Sequence, residues 1–495
     1  MSAHLTPGVH IKHVVIQPKH VLQTGVPVFL GLVRRQLLDE LNQEQADLHE
    51  KFITQPIARA PATHLVRKRG YLRLPRRPPP SVEASLGDPG SGDTASYMQS
   101  VDTMRADERV QEQVIASGGA AGQLNSAQAA PTDETAPLNQ TPQRFTLWPQ
   151  FEATYGNLSD LGFLTRAVQG FFANGGSLCY VQVVAYEEGA MVEAVDAALE
   201  ILADYDDYDL ICAPDLMWPM LSGEAHGSRT GGDQITDEIA EEIVAMQRSI
   251  ILHCELLGNR FAILDSLPQA NVTDVEAQRH QLNGASAALY YPWVRVAHGP
   301  VTTGGLVPPC GHVAGVIART DQRVGVHKAP ANEEMEGVLD LAVRLTDEQQ
   351  GPLNDIHVNC LRVFPRRGIR IWGARTLSPQ PAWMYVNERR IFTTAARWLE
   401  RNMIDVVFEP HTPALWARIV RNLTDYFTTL LEQGALAGGG SQPFYIKCDA
   451  ETNPPEQRET GHIVTEIGLA TTAPAEFIIV QLIHGPTGVR IVGPL

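Results

Sequence analysis

The most regular pattern of hydrophobic and polar positions in the chain lies at residues 413–433. Apolar side chains recur there every three or four residues, as on one face of an α-helix: Leu415, Trp416, Ile419, Val420, Leu423, Tyr426, Phe427, Leu430 and Leu431. Thr412 suits the N-cap, Pro413 the first helical position and Gly434 the left-handed residue after the helix. The opposite face is charged: Arg418, Arg421, Asp425 and Glu432. The pattern predicts a helix that packs one face on a core.

A second amphipathic pattern covers residues 386–402. Its apolar positions are predicted to face inward: Ile391, Ala395, Trp398 and Leu399. Its arginines are predicted to face outward: Arg389, Arg390, Arg397 and Arg401. The short apolar run at 406–408, between the two helices, indicates a strand. Together these elements form a scaffold with charged outer faces.

Residues 143–355 alternate between short apolar runs and helical patterns. The runs are typical of buried strands: 178–184, 209–213, 260–264 and 287–291. Helices are predicted at 191–202, 235–257 and 272–283, and a further strand at 26–33. This βαβ alternation predicts an open, mainly parallel sheet with helices on its faces. Residues 291–332 are rich in glycine and proline, and no long helix or strand is predicted there.

Two carboxylates follow predicted strands, where α/β enzymes commonly place catalytic groups. Asp215 precedes LMWPM and Asp265 precedes SLPQ, both turn-like stretches in which an aspartate serves as a cap or turn former. His298, His312 and His327 lack the spacing of metal ligands. The chain has no GxxxxGK[ST], GxSxG or HExxH motif. We therefore predict no catalytic, cofactor-binding or metal-binding residue.

Charge and cysteine content limit the partners and the cellular compartment that we expect for the protein. The 495 residues carry 39 lysines and arginines against 56 aspartates and glutamates, a formal net charge of −17, which argues against nucleic acid as the main partner. Six scattered cysteines form no CxxC pair, which favours buried thiols in a reducing compartment. The N-terminal residues lack the apolar core of a signal peptide, and no apolar run approaches the ~20 residues of a membrane span. The sequence predicts a cytoplasmic chain.

Residues 34–142 differ in composition from the rest of the chain. A modest amphipathic helix is followed by a basic patch at 67–77 and by a proline run at 78–80. Residues 81–142 are largely Gly, Ser, Ala, Asp and Gln, so little apolar surface is available for burial. We expect an insertion that is flexible in its second part, with the basic patch either solvated or in contact with an acidic neighbour.

Both ends of the chain contain strand-like runs. Residues 8–16 mix apolar and basic side chains, while later strands are predicted at 444–448, 463–469, 477–483 and 489–492. The last of these follows a glycine-proline break. A terminal strand can complete its own sheet or add to the exposed edge of a neighbour.

Several motifs in these segments resemble one family, and they occur in the same order along most of the chain outside 34–142. From the N-terminus they are PGVHIKHV, FFANGG, YYPWVRV, VPPCGHVAGVIARTD, GVHKAPAN, GIRIWGARTL, YVNERRIF, VFEPHTPALWARI and FYIKCDAETNP. They are similar to motifs of contractile tail sheath proteins, which form the sheaths of contractile-tailed phages and of phage-derived contractile injection systems.

The resemblance implies a multidomain α/β and α+β fold. An α+β inner domain would be built from an N-terminal part (1–33) and a C-terminal part (356–484). An α/β outer domain (143–355) and the extra segment (34–142) would be inserted, and 485–495 would form a C-terminal arm. Crossing between the outer and inner domains is expected near 291–332.

The resemblance also implies a function without chemistry. Subunits would stack as six-membered rings around an inner tube, contract when a baseplate triggers them, and drive the tube through a target envelope. The expected partners are other copies of the chain, the inner tube protein, and baseplate and terminal cap proteins. We expect strand exchange through both arms, with Val9, Ile11, Val14, Val489 and Ile491 as the pairing residues. The charged face of the 413–433 helix (Arg418, Arg421, Asp425, Glu432) is expected to look toward the tube.

Two alternatives stay open at this stage. One is an α/β enzyme with Asp215 and Asp265 in its site. The other is a baseplate or capsid-like assembly component. Assembly in the cytoplasm, as part of a phage tail or tail-like particle released by lysis, follows from the family resemblance and from the predicted absence of export signals.

Overall fold

Most of the short apolar runs of the sequence form a single sheet in the computed structural model of the chain. The structure describes residues 22–37, 141–158, 161–187, 189–221, 237–403, 406, 408–437, 442–459, 461–474, 481–485 and 488–492. Its strands are β1 Pro27–Arg34, β2 Gln143–Phe145, β3 Cys179–Tyr186, β4 Leu210–Cys212, β5 Phe261–Asp265, β6 Ala287–Tyr291, β7 Val294–Val296, β8 Leu306–Val307, β9 Val338–Leu341, β10 Val358–Phe364, β11 Gly368–Trp372, β12 Phe444–Lys447, β13 Glu466–Leu469, β14 Gln481–Gly485 and β15 Gly488–Val492.

The main sheet has eight strands in the order β11-β10-β6-β5-β4-β1-β3-β2. The six inner strands are all parallel, and the two outermost strands, β11 and β2, are antiparallel to their neighbours. Every residue of β3, β4, β5 and β6 is buried. The predicted mainly parallel sheet is therefore confirmed. A small sheet β8-β7-β9 follows β6.

Helices cover this sheet and continue beyond it. They are α1 Trp148–Tyr155, α2 Leu164–Ala173, α3 Met191–Ala203, α4 Trp218–Leu221, α5 Asp237–Leu257, α6 Val272–His280, α7 Cys310–Arg323, α8 Asp347–Asp355, α9 Val386–Asn402, α10 Pro413–Glu432 and α11 Pro455–Glu459. Two helix pairs contact the sheet: α2 with α7, and α3 with α5. Their apolar side chains and the strands form one large cluster of buried residues, which we call the sheet core.

Helix α7 lies where no long element is predicted, so that prediction is wrong. Residues 310–318 are all buried, and the exposed polar residues of the helix, Gln322 and Arg323, lie at its end. Its glycines permit a close approach to α2. A Cβ atom on Gly311 would lie 2.1 Å from the Ala167 carbonyl oxygen, and one on Gly315 would lie 2.5 Å from the Phe171 carbonyl oxygen. The glycine content that indicates loop in the sequence thus serves helix packing.

The sheet crosses the predicted domain boundaries. Strand β1, from segment 1–33, lies between β3 and β4, and strands β10 and β11, from segment 356–484, extend the sheet beyond β6. Parallel strands need neighbours on both sides to satisfy their backbone groups, and β1 and β10 supply them. The structure therefore does not separate 143–355 from the rest as a sheet of its own. Most of the predicted insertion at 34–142 lies outside the described residues.

Helices α9 and α10 form a second, smaller core with the strands that follow them. Trp398 of α9 stacks on Tyr426 of α10 with ring centroids 4.0 Å apart. The Thr412 side chain caps α10, and Gly434 adopts a φ of 80° after it, as predicted. The buried residues of this C-terminal core are Ala395, Trp398, Leu415, Trp416, Ile419, Leu423, Phe427, Leu436 and Cys448.

The sequence predicts a strand at 406–408, between α9 and α10, but neither of the described residues there, Val406 and Phe408, is in a strand, and residue 407 lies outside the described residues. Phe408 is a fully exposed turn residue with a φ of 69°. The chain turns in this segment between α9 and α10, and none of the described strands pairs with it. The apolar character of these residues is thus no evidence of a sheet.

Candidate assembly surfaces

Helix α9 joins the two cores through buried charges. Arg390 and Arg397, predicted to face outward, are 1% and 2% exposed. The prediction is wrong for these two because α9 lies between the cores: its apolar face packs on α10, and its arginines face the beginning of the sheet. Arg390 donates two hydrogen bonds to Asp321 (2.9 and 2.6 Å) and one to Asp209 (3.1 Å).

The charges of this cluster balance one another. Arg397 lies 3.7 Å from the Asp209 carboxylate, so two arginines face two aspartates. Burial alone would lower the pKa of Arg390, but the Asp321 and Asp209 carboxylates outweigh it and raise that pKa above its usual value. We call Asp209, Asp321, Arg390 and Arg397 the Arg–Asp cluster. Buried ion pairs of this kind keep their full hydrogen bonding only in one arrangement.

Sequence reasoning missed this cluster. Asp209 begins the predicted strand 209–213, Asp321 ends the motif VPPCGHVAGVIARTD, and Arg390 lies within YVNERRIF, so the three residues are far apart in the chain. One signal was available: Arg390, Arg397 and Arg401 recur at spacings of seven and four, which places them on a single face of α9. A row of arginines opposite the apolar face of a helix is compatible with both faces being packed against other parts of the fold.

The two candidate catalytic carboxylates cap helices. Asp215 accepts hydrogen bonds from the amides of Leu32 (3.1 Å), Phe163 (2.5 Å) and Leu164 (2.9 Å), the last two at the start of α2. Asp265 accepts one from the Cys310 amide (2.9 Å) at the start of α7. Burial raises the pKa of each carboxyl to about 7. Each aspartate thus caps a helix that is distant in sequence, whereas the sequence predicts a cap or turn former for the stretch that directly follows it.

Other side chains of possible chemical interest are enclosed by the fold. All six cysteines are buried and free of disulfides. His312 is buried against Gly170, and burial lowers its pKa to about 4. Within the described part of the chain, no group of three or more His, Cys, Asp or Glu side chains is arranged to hold a metal ion. Among the same residues, no helix combines the length and apolarity needed to cross a bilayer.

The charged face of α10 lies on the surface. Arg421, Asp425 and Glu432 are exposed, while Arg418 is partly buried and its guanidinium lies 3.4 Å from the Glu409 carboxylate. The opposite face packs in the C-terminal core as predicted. These four residues therefore form one accessible surface of mixed charge.

Strands β12 and β13 form a two-stranded antiparallel sheet beside α10. Each pairs only with the other among the described strands, so each has one edge without a described strand neighbour. A groove of about 710 Å³ lies next to β13, and its apolar lining includes Leu399, Met403, Ile419, Leu423, Ile463 and Ile467. Two-stranded sheets are marginally stable by themselves, and open edges accept further strands.

The C-terminal residues form a hairpin. Strand β14 pairs with β15, with Leu482 opposite Ile491 and His484 opposite Val489. The two arm residues Val489 and Ile491 thus pair within the chain here, in a sheet of their own. The other three predicted arm residues, Val9, Ile11 and Val14, lie outside the described residues.

Family models match the second half of the chain. Residues 230–377 match the phage tail sheath protein central domain, and residues 378–483 match the phage tail sheath C-terminal domain. A prophage major tail sheath protein of Pseudomonas aeruginosa UCBPP-PA14 is 23% identical over 236 residues, 46% of this chain and 60% of that protein. The tail sheath protein of Burkholderia phage BcepMu is 26% identical over 38% of this chain and 40% of its own length. The aligned part thus spans less than two thirds of either relative.

Solved structures match a larger share of the chain. The PVC sheath complex of an extracellular contractile injection system, in its contracted state, is 26% identical with a TM-score of 0.56, over 75% of this chain and 98% of that chain. The helical sheath of the anti-feeding prophage in its contracted state is 27% identical with a TM-score of 0.56, over 70% and 88%. A chain of the anti-feeding prophage baseplate is 28% identical with a TM-score of 0.56, over 69% and 87%.

Proposed function

Because this chain belongs to the phage tail sheath family, we propose that it is a structural subunit of a contractile sheath. Copies stack as hexameric rings around an inner tube and contract to drive the tube through a target envelope. The observation that carries this proposal is the match of the fold to 98% of a sheath subunit from a contractile injection system. The capping role of Asp215 and Asp265 supports a function without catalysis.

The C-terminal core is the part of the chain suited to link subunits. Strands β12 and β13 each leave one edge without a described strand neighbour, and both ends of the sequence contain strand-like runs (8–16 and 485–495). A donated strand with about five backbone hydrogen bonds, each worth a net ~1 kcal/mol, contributes a few kcal/mol. Repeated in every subunit, such links keep the lattice connected while weaker surface contacts exchange during contraction.

The remaining partners follow from the same role. The charged face of α10 faces the inner tube, because it is the accessible side of the helix that supports the linking strands. Baseplate and terminal cap proteins close the two ends of the sheath, while nucleic acid and membrane insertion have no part. Subunits assemble in the cytoplasm as part of a phage tail or tail-like particle, which leaves the cell on lysis.

A second candidate is a ring subunit close to the baseplate. The match to a chain of the anti-feeding prophage baseplate favours it. Such a subunit would share the fold but would stop after one or two rings. Tube length therefore separates the two roles.

Negative-stain electron microscopy tests the proposal. The full chain is examined alone and together with the inner tube protein of its own particle. A sheath subunit gives long hollow tubes with helical striations, and a baseplate-proximal subunit gives only rings or short stacks. Monomers under every condition would contradict both roles.

Two truncations test the linking strands. Deleting 8–16 or 485–495 should leave a folded monomer, judged by circular dichroism and thermal unfolding, that cannot build long tubes. A substitution of an exposed residue on α5, Arg248→Glu, is the control and should leave tube length unchanged. Tubes of normal length from both truncations would refute strand exchange.

A further inference from the structure

Residues 22–26 connect the predicted N-terminal arm to β1, and we call them the arm root. Each of these five residues is held by another part of the fold. Leu22 packs against the C-terminal core. Three residues of the Arg–Asp cluster hold the next four: Arg397 donates to the Gln23 carbonyl oxygen (3.3 Å), Asp321 accepts from Thr24, and Asp209 accepts from the amides of Gly25 (3.0 Å) and Val26 (2.7 Å).

The path of the arm root is fixed by a glycine as well. Gly25 has a φ of 68°, and a Cβ atom there would lie 2.6 Å from the Ala318 Cα of α7. Only glycine fits this turn against the helix backbone. The chain therefore enters β1 along one route, pressed against α7 and bonded to α9.

A force applied to the arm root is transmitted to two parts of the fold. Strand β1 is paired in parallel with β3 over seven residue pairs and with β4 over three, so a pull along the strand loads both ladders in shear. Asp209 and Arg397 transmit the rest of the applied force to α9. Arg390 transmits it further to Asp321 on α7. The sheet core and the C-terminal core are both attached to the same five residues.

We propose that the Arg–Asp cluster anchors the N-terminal arm, so that tension from a neighbouring subunit reaches both cores of this one. The inference rests on the proposed function, because tension arises only where arms link subunits. A charged cluster suits this task. Its hydrogen bonds have one geometry, whereas an apolar contact would let the arm root slide.

Arg397 and Arg401 of α9 provide a matched pair of test positions. Arg397 bonds to the arm root, to the Asp206 carbonyl oxygen and to Asp209, whereas Arg401, among the described residues, bonds to Asp206 and Asp207 and not to the arm root. The variants are Arg397→Met, Arg401→Met and, as the conservative change, Arg397→Lys. In Arg397→Met, Asp209 keeps Arg390 as its partner, so the fold should persist.

The first readout is hydrogen exchange of the Gly25 and Val26 amides in the free full-length chain. Arg397→Met should speed their exchange about tenfold or more, because Asp209, which accepts from both amides, loses one of its two arginines and the adjacent Gln23 carbonyl oxygen loses its donor, with exchange in β4 and β5 unchanged. Arg401→Met should leave both amides as in the parent chain, and Arg397→Lys should restore most of the protection. Unchanged exchange in Arg397→Met would overturn the anchor, whether or not the chain forms tubes.

The second readout is the strength of assembled tubes. After the same brief sonication, tubes of Arg397→Met should break into fragments several-fold shorter than tubes of the parent or of Arg401→Met. Equal fragment lengths would show that the cluster does not carry tension. If the parent chain forms no tubes, that result contradicts the proposed function. The exchange experiment on the free chain still decides whether the cluster holds the arm root.

Discussion

The sheet core and the C-terminal core bury their strands to very different extents. Strands β1, β3, β4, β5 and β6 of the eight-stranded sheet are almost completely buried, with helices packed against them. All residues of β12 and β13 are partly or fully exposed, and each strand has one edge without a described strand neighbour. The difference teaches that one region is completed by its own chain, whereas the other has backbone and apolar surface left for contacts beyond it.

The largest expected effect comes from separating the two regions. Arg390→Met leaves the Asp209 and Asp321 carboxylates buried without their main partner, which should lower the free energy of unfolding by about 3–5 kcal/mol. Because this arginine joins the cores, we expect one thermal transition in the parent chain and two in the variant. Differential scanning calorimetry measures both effects. Arg389→Met, whose arginine bonds only to the Ser286 hydroxyl and stacks near Trp383, is the control and should cost about 1 kcal/mol.

The sheet core should be intolerant of added volume where its helices meet. Gly311→Ala places a methyl group against the Ala167 carbonyl, and we expect a loss of roughly 3 kcal/mol or more in urea unfolding, at the high end of overpacking effects. Gly351→Ala, at a helical position with open space around it, is the control and should be neutral or slightly stabilising. Equal stabilities of the two variants would show that α2 and α7 are not closely packed.

One buried histidine should make a contribution to the stability of the sheet core that is lost in acid. The pKa of His312 is lowered from about 6.5 to about 4, so its stabilising contribution is complete above pH 6.5 and is lost as the pH falls toward 4. Relative to the parent, His312→Leu should therefore gain on the order of 3 kcal/mol between pH 7 and pH 4. Thermal unfolding across this range measures the difference. Exposed His298→Gln should show no such gain.

The smallest effect on stability is expected on the outer face of α10. Arg421→Glu alters an exposed side chain and should change the free energy of unfolding by less than about 0.5 kcal/mol. Co-assembly with the inner tube should nevertheless fall, because this face is proposed to contact the tube. Sedimentation of tube-bound subunits measures co-assembly, and Arg248→Glu, a charge reversal at an exposed position of α5, is the control. Unchanged co-assembly would remove the proposed contact.

The sequence predicts the regular elements better than their environment. Buried strands such as β3 and β6 and amphipathic helices such as α10 carry their signal within a few residues, so local periodicity finds them. The glycines and prolines in and around helix α7 indicate loop, so the sequence pattern misses this helix. The central place of β1 depends on pairing with strands about 150 and 180 residues away, which periodicity does not encode.

The candidate surfaces also differ in how far the sequence predicts them. The exposed face of α10 follows from spacing alone, because its four charged residues fall on one side of a regular helix. The Arg–Asp cluster does not, since arginines on an amphipathic helix usually meet solvent and only the tertiary fold brings Asp209 and Asp321 to Arg390. The pairing of the arms depends on a second copy of the chain and stays a prediction.

Hydrogen exchange in assembled tubes, compared with the free chain, tests most directly whether other copies complete the C-terminal core. Donated strands should protect the edge amides of β12 and β13 about a hundredfold, whereas amides in β4, β5 and β6 should exchange equally slowly in both states. Equal exchange of β12 and β13 in tubes and in the free chain would contradict the account.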